Sequence, residues 1–154
     1  MANTYTQLYI QFVFAVQNRK SLIHPEWEED LFKYITGIIQ NKSHKMIAIN
    51  GMPDHLHMFI GFQPVDHMSE LIKVVKGESS KWIKEKGLVK GRFNWQAGYG
   101  AFSYSRSHID RVYHYIKNQK QHHQKKTFRA EYIELLKKFD VDYDEQYIFK
   151  EVKY

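Results

Sequence analysis

From Leu8 to Phe14 apolar and polar positions alternate, with Leu8, Ile10, Phe12 and Phe14 on one side and Gln7, Tyr9, Gln11 and Val13 on the other. A period of two predicts a strand with one strongly apolar face. The period lengthens in "HPEWEEDLFKYITGIIQNKSH", where Trp27, Leu31, Tyr34, Ile35 and Ile38 recur at helical spacing behind Pro25 and an acidic first turn. "KMIAIN" reads as a second strand, "GMPD" as a turn and "HLHMFIGF" as a third strand paired with the second in a hairpin. A second helix follows in "MSELIKVVKGESSKWIKEKG", with Leu71, Ile72, Val75, Trp82 and Ile83 inward and Gly87 at its end. The basic, glycine-containing loop "LVKGRFNWQAG" leads into a fourth strand, "YGAFSYS". Ser107 with Asp110 three residues on predicts a capping box opening a third helix that runs to about Lys126. The tail from Thr127 reads as a short helix and an extended end.

The order is β-α-β-β-α-β followed by helices. It predicts an α+β, ferredoxin-like split β-α-β-β-α-β antiparallel sheet with two helices on one face, the other face free, and an additional C-terminal helix. No repeat, low-complexity linker or second unit interrupts it, so residues 1–154 read as one domain. The net charge of +6, from 23 Lys+Arg against 17 Asp+Glu, and the pI of about 9.3 favour a polyanionic partner, nucleic acid before an anionic membrane. The absence of cysteine excludes disulfides and thiolate metal sites. The N-terminal apolar run alternates with polar residues and lacks a basic leader, so it reads as a strand and not a signal peptide; no stretch has the apolar length of a membrane span. Eleven Tyr, ten Phe and three Trp supply a core, and any on a basic surface could stack on bases.

Candidate chemistry starts at His55 and His57. Residues two apart on a strand share a face, so Leu56, Met58 and Ile60 point toward the helices and the two imidazoles toward the open face, their Cα atoms roughly 7 Å apart. In an arbitrary sequence such a pair is more often two ordinary strand histidines. The metallo-β-lactamase continuation H-x-H-x-D-H is absent, since Met58, Phe59 and Ile60 follow, and a two-histidine phosphoesterase would need two H-x-[ST] motifs. Asp54 is close in sequence, but it lies in the turn and on the opposite side of the pleat. The third helix offers partners. Ile109, Val112, Tyr113 and Ile116 form its apolar stripe, while Tyr115 and Gln119, four apart, are neighbours on a polar flank. A tyrosine can attack phosphorus, and an amide oxygen can be the third ligand of a hard or borderline cation.

"PDHLHMFIGF", "YIKNQ" and "GYGAFSYS" together resemble the HUH and tyrosine motifs of the TnpA-type single-tyrosine HUH transposases of small bacterial insertion sequences, relatives of the REP-associated transposases. The similarity runs from "YIQFVFAVQNR" through "KGESSKWI" and "WQAGYGAFSYS" to "FDVDYDEQYIF". It implies cleavage and rejoining of single-stranded DNA through a 5′-phosphotyrosine link on Tyr115, with a divalent ion, Mg²⁺ or Mn²⁺, held by His55, His57 and Gln119. It also implies DNA hairpins near the element's ends as partners, a homodimer whose sites can be shared between subunits, and action in the bacterial or archaeal cytoplasm at the nucleoid, with no membrane partner. A host-domesticated endonuclease acting on chromosomal hairpins would use the same chemistry; a non-catalytic ferredoxin-like nucleic-acid binder would leave the tyrosine, amide and histidines unexplained.

Lys73, Lys76, Lys81, Lys84, Lys90 and Arg92 are candidates for backbone phosphate contacts, each equally readable as a solvated charge. On an unbroken helix His108, Tyr115, Gln119, His122 and Lys126 share one narrow stripe, which would face the scissile phosphate. His122 and His123 read as surface or DNA-facing groups in preference to further ligands, and Tyr113 as core.

Overall fold

A computed structural model describes residues 5–144. Four strands form one antiparallel sheet: β1 (Tyr9–Ala15), β2 (Lys45–Met52), β3 (His55–Gly61) and β4 (Gly100–Tyr104), in the order β2-β3-β1-β4. This is the order that two split β-α-β units produce. Helices α1 (Glu28–Asn41) and α2 (Met68–Glu85) are the crossovers. They bury Leu31, Ile35, Ile39, Leu71, Ile72 and Val75 against Ile10, Phe12, Phe14, Leu56, Met58 and Ile60 of the two central strands. Helix α2 stops where Gly87 takes φ +63, a left-handed conformation that glycine adopts without a Cβ clash.

The expected free face is covered. Its strand residues include Val13, Ala15, Phe59 and Phe102, and an apolar face of that kind has to be buried. Helix α3 (Ile109–Lys117) packs Val112 and Ile116 on Ala48 and Phe59. Helix α5 (Phe128–Lys138) packs Phe128, Tyr132, Leu135 and Leu136 on Val13, Ala15 and Phe102. The sheet is therefore sandwiched, and every residue of β3 from His55 to Ile60 is buried.

The single helix expected over 107–126 is two. It breaks at Asn118, whose φ −95 and ψ 20 leave the helical region, and resumes as the one-turn α4 (Gln119–His122). No capping box opens it. Ser107 Oγ turns to Ser105 Oγ and His108 Nδ1, and a 3₁₀ turn at Arg106–His108 leads into α3. The break is tied to the β2–β3 hairpin: Asn50 Nδ2 donates to the Lys117 carbonyl (3.0 Å) and Lys120 Nζ to the Gly51 carbonyl (3.2 Å). At Gly51 a Cβ would collide with the His55 carbonyl oxygen, so the hairpin closes this tightly only with glycine there. After His122 the chain turns back and Thr127 caps α5, its Oγ1 accepting from the Ala130 N–H. The extended end expected beyond Asp144 lies outside the described residues. Among the described residues no helix is long and apolar enough to cross a membrane.

Candidate active site

Strand alternation sends His55 and His57 to the same face, and α3, α4 and α5 close over them until both are fully buried. A buried imidazole needs partners for both ring nitrogens. His55 Nδ1 lies 2.7 Å from Asp54 Oδ1, and His57 Nδ1 lies 2.8 Å from Gln11 Oε1, whose amide nitrogen donates to the Tyr104 hydroxyl. Asp54 thus reaches the site around the turn, as an orienting group behind His55. Burial, reinforced by nearby His57, lowers the His55 pKa to about 4 despite the Asp54 hydrogen bond. The His55 ring stacks on Phe128 at 3.8 Å, which locks its plane.

The break at Asn118 turns Gln119 inward until it is fully buried, with Oε1 3.3 Å from His55 Nε2. Tyr115 stays half-buried one turn earlier, its ring 6.0 Å from that of His57. Between them stands Glu131, which arrives on α5 and is only 3% exposed. Its Oε1 lies 3.0 Å from His57 Nε2 and 3.8 Å from His55 Nε2, and its Oε2 accepts from Gln119 Nε2 (3.1 Å) and from the Tyr115 hydroxyl. Burial alone would raise the Glu131 pKa, but the imidazoles of His57, His123 and His55 outweigh it and hold the carboxyl ionised. Burial and then the Glu131 charge push the Tyr115 phenol well above its ordinary range, so Tyr115 is protonated as it stands. A cation bound beside Glu131 offsets that negative charge. The phenolate absorbance of wild type minus Tyr115→Phe is therefore expected to rise at lower pH with Mn²⁺ than with chelator. A midpoint unmoved by the ion would contradict this coupling.

The donor set fits a divalent ion. One nitrogen each from His55 and His57 and one oxygen of Glu131 lie within 4.8 Å of one another, all three residues buried. Carboxylate and amide oxygens with imidazole suit borderline ions, and Asp54 and Gln11 are the outer partners that ligating histidines use.

The profile of the family described as "Transposase IS200 like" matches residues 4–119, well over half of the chain. The chain belongs to the IS200-like transposase family. It is 23% identical over 120 residues to the ISDra2 transposase TnpA of Deinococcus radiodurans, a match covering 73% of this chain and 84% of that one. Two solved structures share the fold. One is a crystal structure of a candidate transposase from Deinococcus radiodurans R1, with TM-score 0.58 and 21% identity, covering 77% of this chain and 95% of that one. The other is a REP-associated tyrosine transposase bound to a REP hairpin, with TM-score 0.56 and 16% identity, covering 77% and 70%.

In this transposase the structure brings His55, His57, Tyr115 and Gln119 together and leaves other sequence candidates elsewhere. Tyr113 is not core: at 36% exposed it lies off the Val112–Ile116 stripe, with Lys117 Nζ 5.7 Å from its ring. The break at Asn118 dissolves the stripe from His108 to Lys126. His108 turns to Ser105 and Tyr104, and Lys126 pairs with Glu134 at 2.5 Å at the mouth of the Tyr115 cleft. His122 stays, its ring 4.7 Å from that of Tyr115. His123 is not a surface group; it faces Glu131. Sequence reasoning missed Glu131 and Gln11. The available signal was a polar residue within an apolar face: Glu131 sits among Phe128, Tyr132 and Leu135, and Gln11 between Ile10 and Phe12.

Lys81, Lys84 and Arg92 line a groove of about 500 Å³ beside α2, on the sheet face opposite Tyr115; Lys73 and Lys90 are exposed. Lys76 has another task. Its Nζ donates to the Gln96 carbonyl (2.8 Å) and the Gly98 carbonyl (2.6 Å), tying the loop before β4 to α2, and burial lowers its pKa. Lys76→Met is expected to cost about 1–2 kcal/mol of stability and to leave the salt dependence of DNA binding unchanged. Lys84→Ala should flatten that dependence by roughly 0.7 in slope if it meets a phosphate of single-stranded DNA. Thermal melts and binding at several salt concentrations check both.

Proposed function

We propose that this transposase is a single-domain enzyme that cleaves and rejoins single-stranded DNA at the ends of an insertion sequence, with Tyr115 as nucleophile. The observation carrying the reading is the convergence, inside one chain, of a tyrosine hydroxyl on the same carboxylate that faces both histidines. A non-catalytic binder has no use for such a buried cluster.

Tyr115 opens on a cleft of about 620 Å³ lined by Asn118, His122, Lys125, Lys126 and Glu131, room for a phosphodiester beside two cationic side chains. Its Oη attacks the phosphorus and passes its proton toward Glu131 Oε2, which already accepts its hydrogen bond. The bond from phosphorus to the 3′-oxygen breaks, and that oxygen leaves as a 3′-hydroxyl. The phosphate stays on Tyr115 as a 5′-phosphotyrosine diester, so the bond energy is kept and no nucleotide cofactor is needed. Attack by a 3′-hydroxyl reverses the step and joins the strands. A divalent ion, Mg²⁺ or Mn²⁺, held by His55, His57 and Gln119 together with Glu131, supplies positive charge toward the phosphate when bound. Gln11 and Asp54 fix the planes of the two imidazoles.

The proposed DNA partner carries hairpins, as the REP hairpin does for the REP-associated neighbour, and the proposed compartment is the cytoplasm. In a homodimer, the contact of Tyr115 with Glu131 of its own chain favours a tyrosine that serves its own subunit's histidines. The test is incubation with single-stranded DNA from the borders of the protein's own gene. A protein–DNA adduct that survives denaturation is the expected product, and its absence with metal present overturns the reading.

A further inference from the structure

His123 is the imidazole that this reading leaves without a role. It lies four residues after Gln119, past the end of α4, with a side chain only 7% exposed. Its Nε2 is 3.2 Å from Glu131 Oε1 and 3.2 Å from Gln119 Oε1. Three imidazole Nε2 atoms thus converge on one carboxylate oxygen, from His57 at 3.0 Å, His123 at 3.2 Å and His55 at 3.8 Å.

The far side of each ring decides what these nitrogens can offer. His55 Nδ1 faces the Asp54 carboxylate, His57 Nδ1 faces Gln11 Oε1, and His123 Nδ1 faces the Lys126 carbonyl at 2.9 Å. All three partners are acceptors, so each ring carries its proton on Nδ1 and turns an Nε2 lone pair toward the Glu131 and Gln119 oxygens. Lone pairs directed at lone pairs repel unless positive charge lies among them. Donors about 2.1 Å from a single ion stand about 3.0 Å apart at right angles and about 3.4 Å apart in a tetrahedron. The distances above span that range. A backbone carbonyl behind His123 and a carboxylate behind His55 are the outer partners that ligating histidines use.

We infer that His123 is a third histidine ligand, joining His55, His57 and Glu131 in an imidazole-rich site that takes a transition-metal dication in preference to Mg²⁺. Mg²⁺ favours oxygen donors and retains its water, whereas imidazole suits the later divalent ions. The inference rests on the proposed metal site and adds a ligand and a metal class to it.

Co²⁺ is the probe. The full chain, stripped with chelator, is titrated with Co²⁺ and followed by visible absorption and by proton NMR of the exchangeable imidazole N–H signals that cobalt shifts. Three such signals are expected, with Co²⁺ retained against a large excess of Mg²⁺. His123→Ala should remove one signal and weaken Co²⁺ binding at least about tenfold. Two shifted signals in the wild type, wild-type affinity in a folded His123→Ala, or displacement of Co²⁺ by Mg²⁺ would overturn the inference. The signal count in the wild type decides even if the variant misfolds. Loss of binding in His55→Ala with His57→Ala but not in His123→Ala defeats the third ligand alone. No Co²⁺ binding by the wild type defeats this inference and the metal site of the proposed function, while adduct formation on Tyr115 is judged separately.

Discussion

Tyr115→Phe forms no denaturation-resistant adduct with single-stranded DNA, whereas Tyr113→Phe forms it as the wild type does. Both tyrosines lie on α3 two residues apart, so they differ little in sequence and fully in setting. Tyr113 points outward beside Lys117, away from any carboxylate or histidine of the cluster. Tyr115 donates to Glu131 Oε2 and borders the cleft that admits DNA. Removing its oxygen leaves no atom there to attack phosphorus, so the loss is complete and not graded. Folding should survive, because Glu131 Oε2 keeps its bond from Gln119 Nε2, and losing one hydrogen bond costs about 1 kcal/mol. Gel analysis after denaturation, with mass spectrometry of the linked peptide, reads the result. An adduct on any other residue removes Tyr115 from the mechanism.

The second large effect is expected from His55→Ala combined with His57→Ala. Cleavage should vanish, and stability should fall with it. Had the histidines stood on an open face, as strand alternation alone suggests, their loss would have been structurally silent. They are instead fully buried, with His55 stacked on Phe128. Truncating a buried ring of this size costs roughly 3 kcal/mol or more. It also leaves Asp54, Gln11 and Glu131 facing a cavity without their partners. For a chain of this length that is a fall of roughly 6–12 °C in melting temperature. Hairpin binding is therefore to be measured well below the variant's melting point, where it should persist. Wild-type cleavage with metal present would remove the histidines from the chemistry; an unchanged melting temperature would contradict the sandwiched sheet.

The four strands and the two crossover helices were legible because each is a local periodicity. Leu8 to Phe14 alternates over a few residues, and the Leu31 and Leu71 segments repeat over a few turns, so neighbours in sequence carry the signal. His55 and His57 share a face by the same local geometry, and the motif around Tyr115 and Gln119 marked the family. The covering of the second face was harder to read, because Val13, Ala15, Phe59 and Phe102 lie on three different strands and look apolar as a surface only once paired. The break at Asn118 was hidden as well. A straight helix and a kinked one share the same spacing, and the kink is held by Asn50 and Lys120 contacts from 70 or so residues of separation.

What the sequence determined by itself is the set of strands, the paired imidazoles on one face and the tyrosine and amide that accompany them. What only the tertiary structure decided is which groups meet those imidazoles. Glu131 and His123 belong to no motif with His55 and His57, and their positions follow from how α5 docks through Phe128, Tyr132, Leu135 and Leu136. Side-chain spacing along a helix or strand fixes directions only within that element. The distance from Glu131 to His57 across 74 residues is set by the packing of one apolar face on another, which is a property of the folded core.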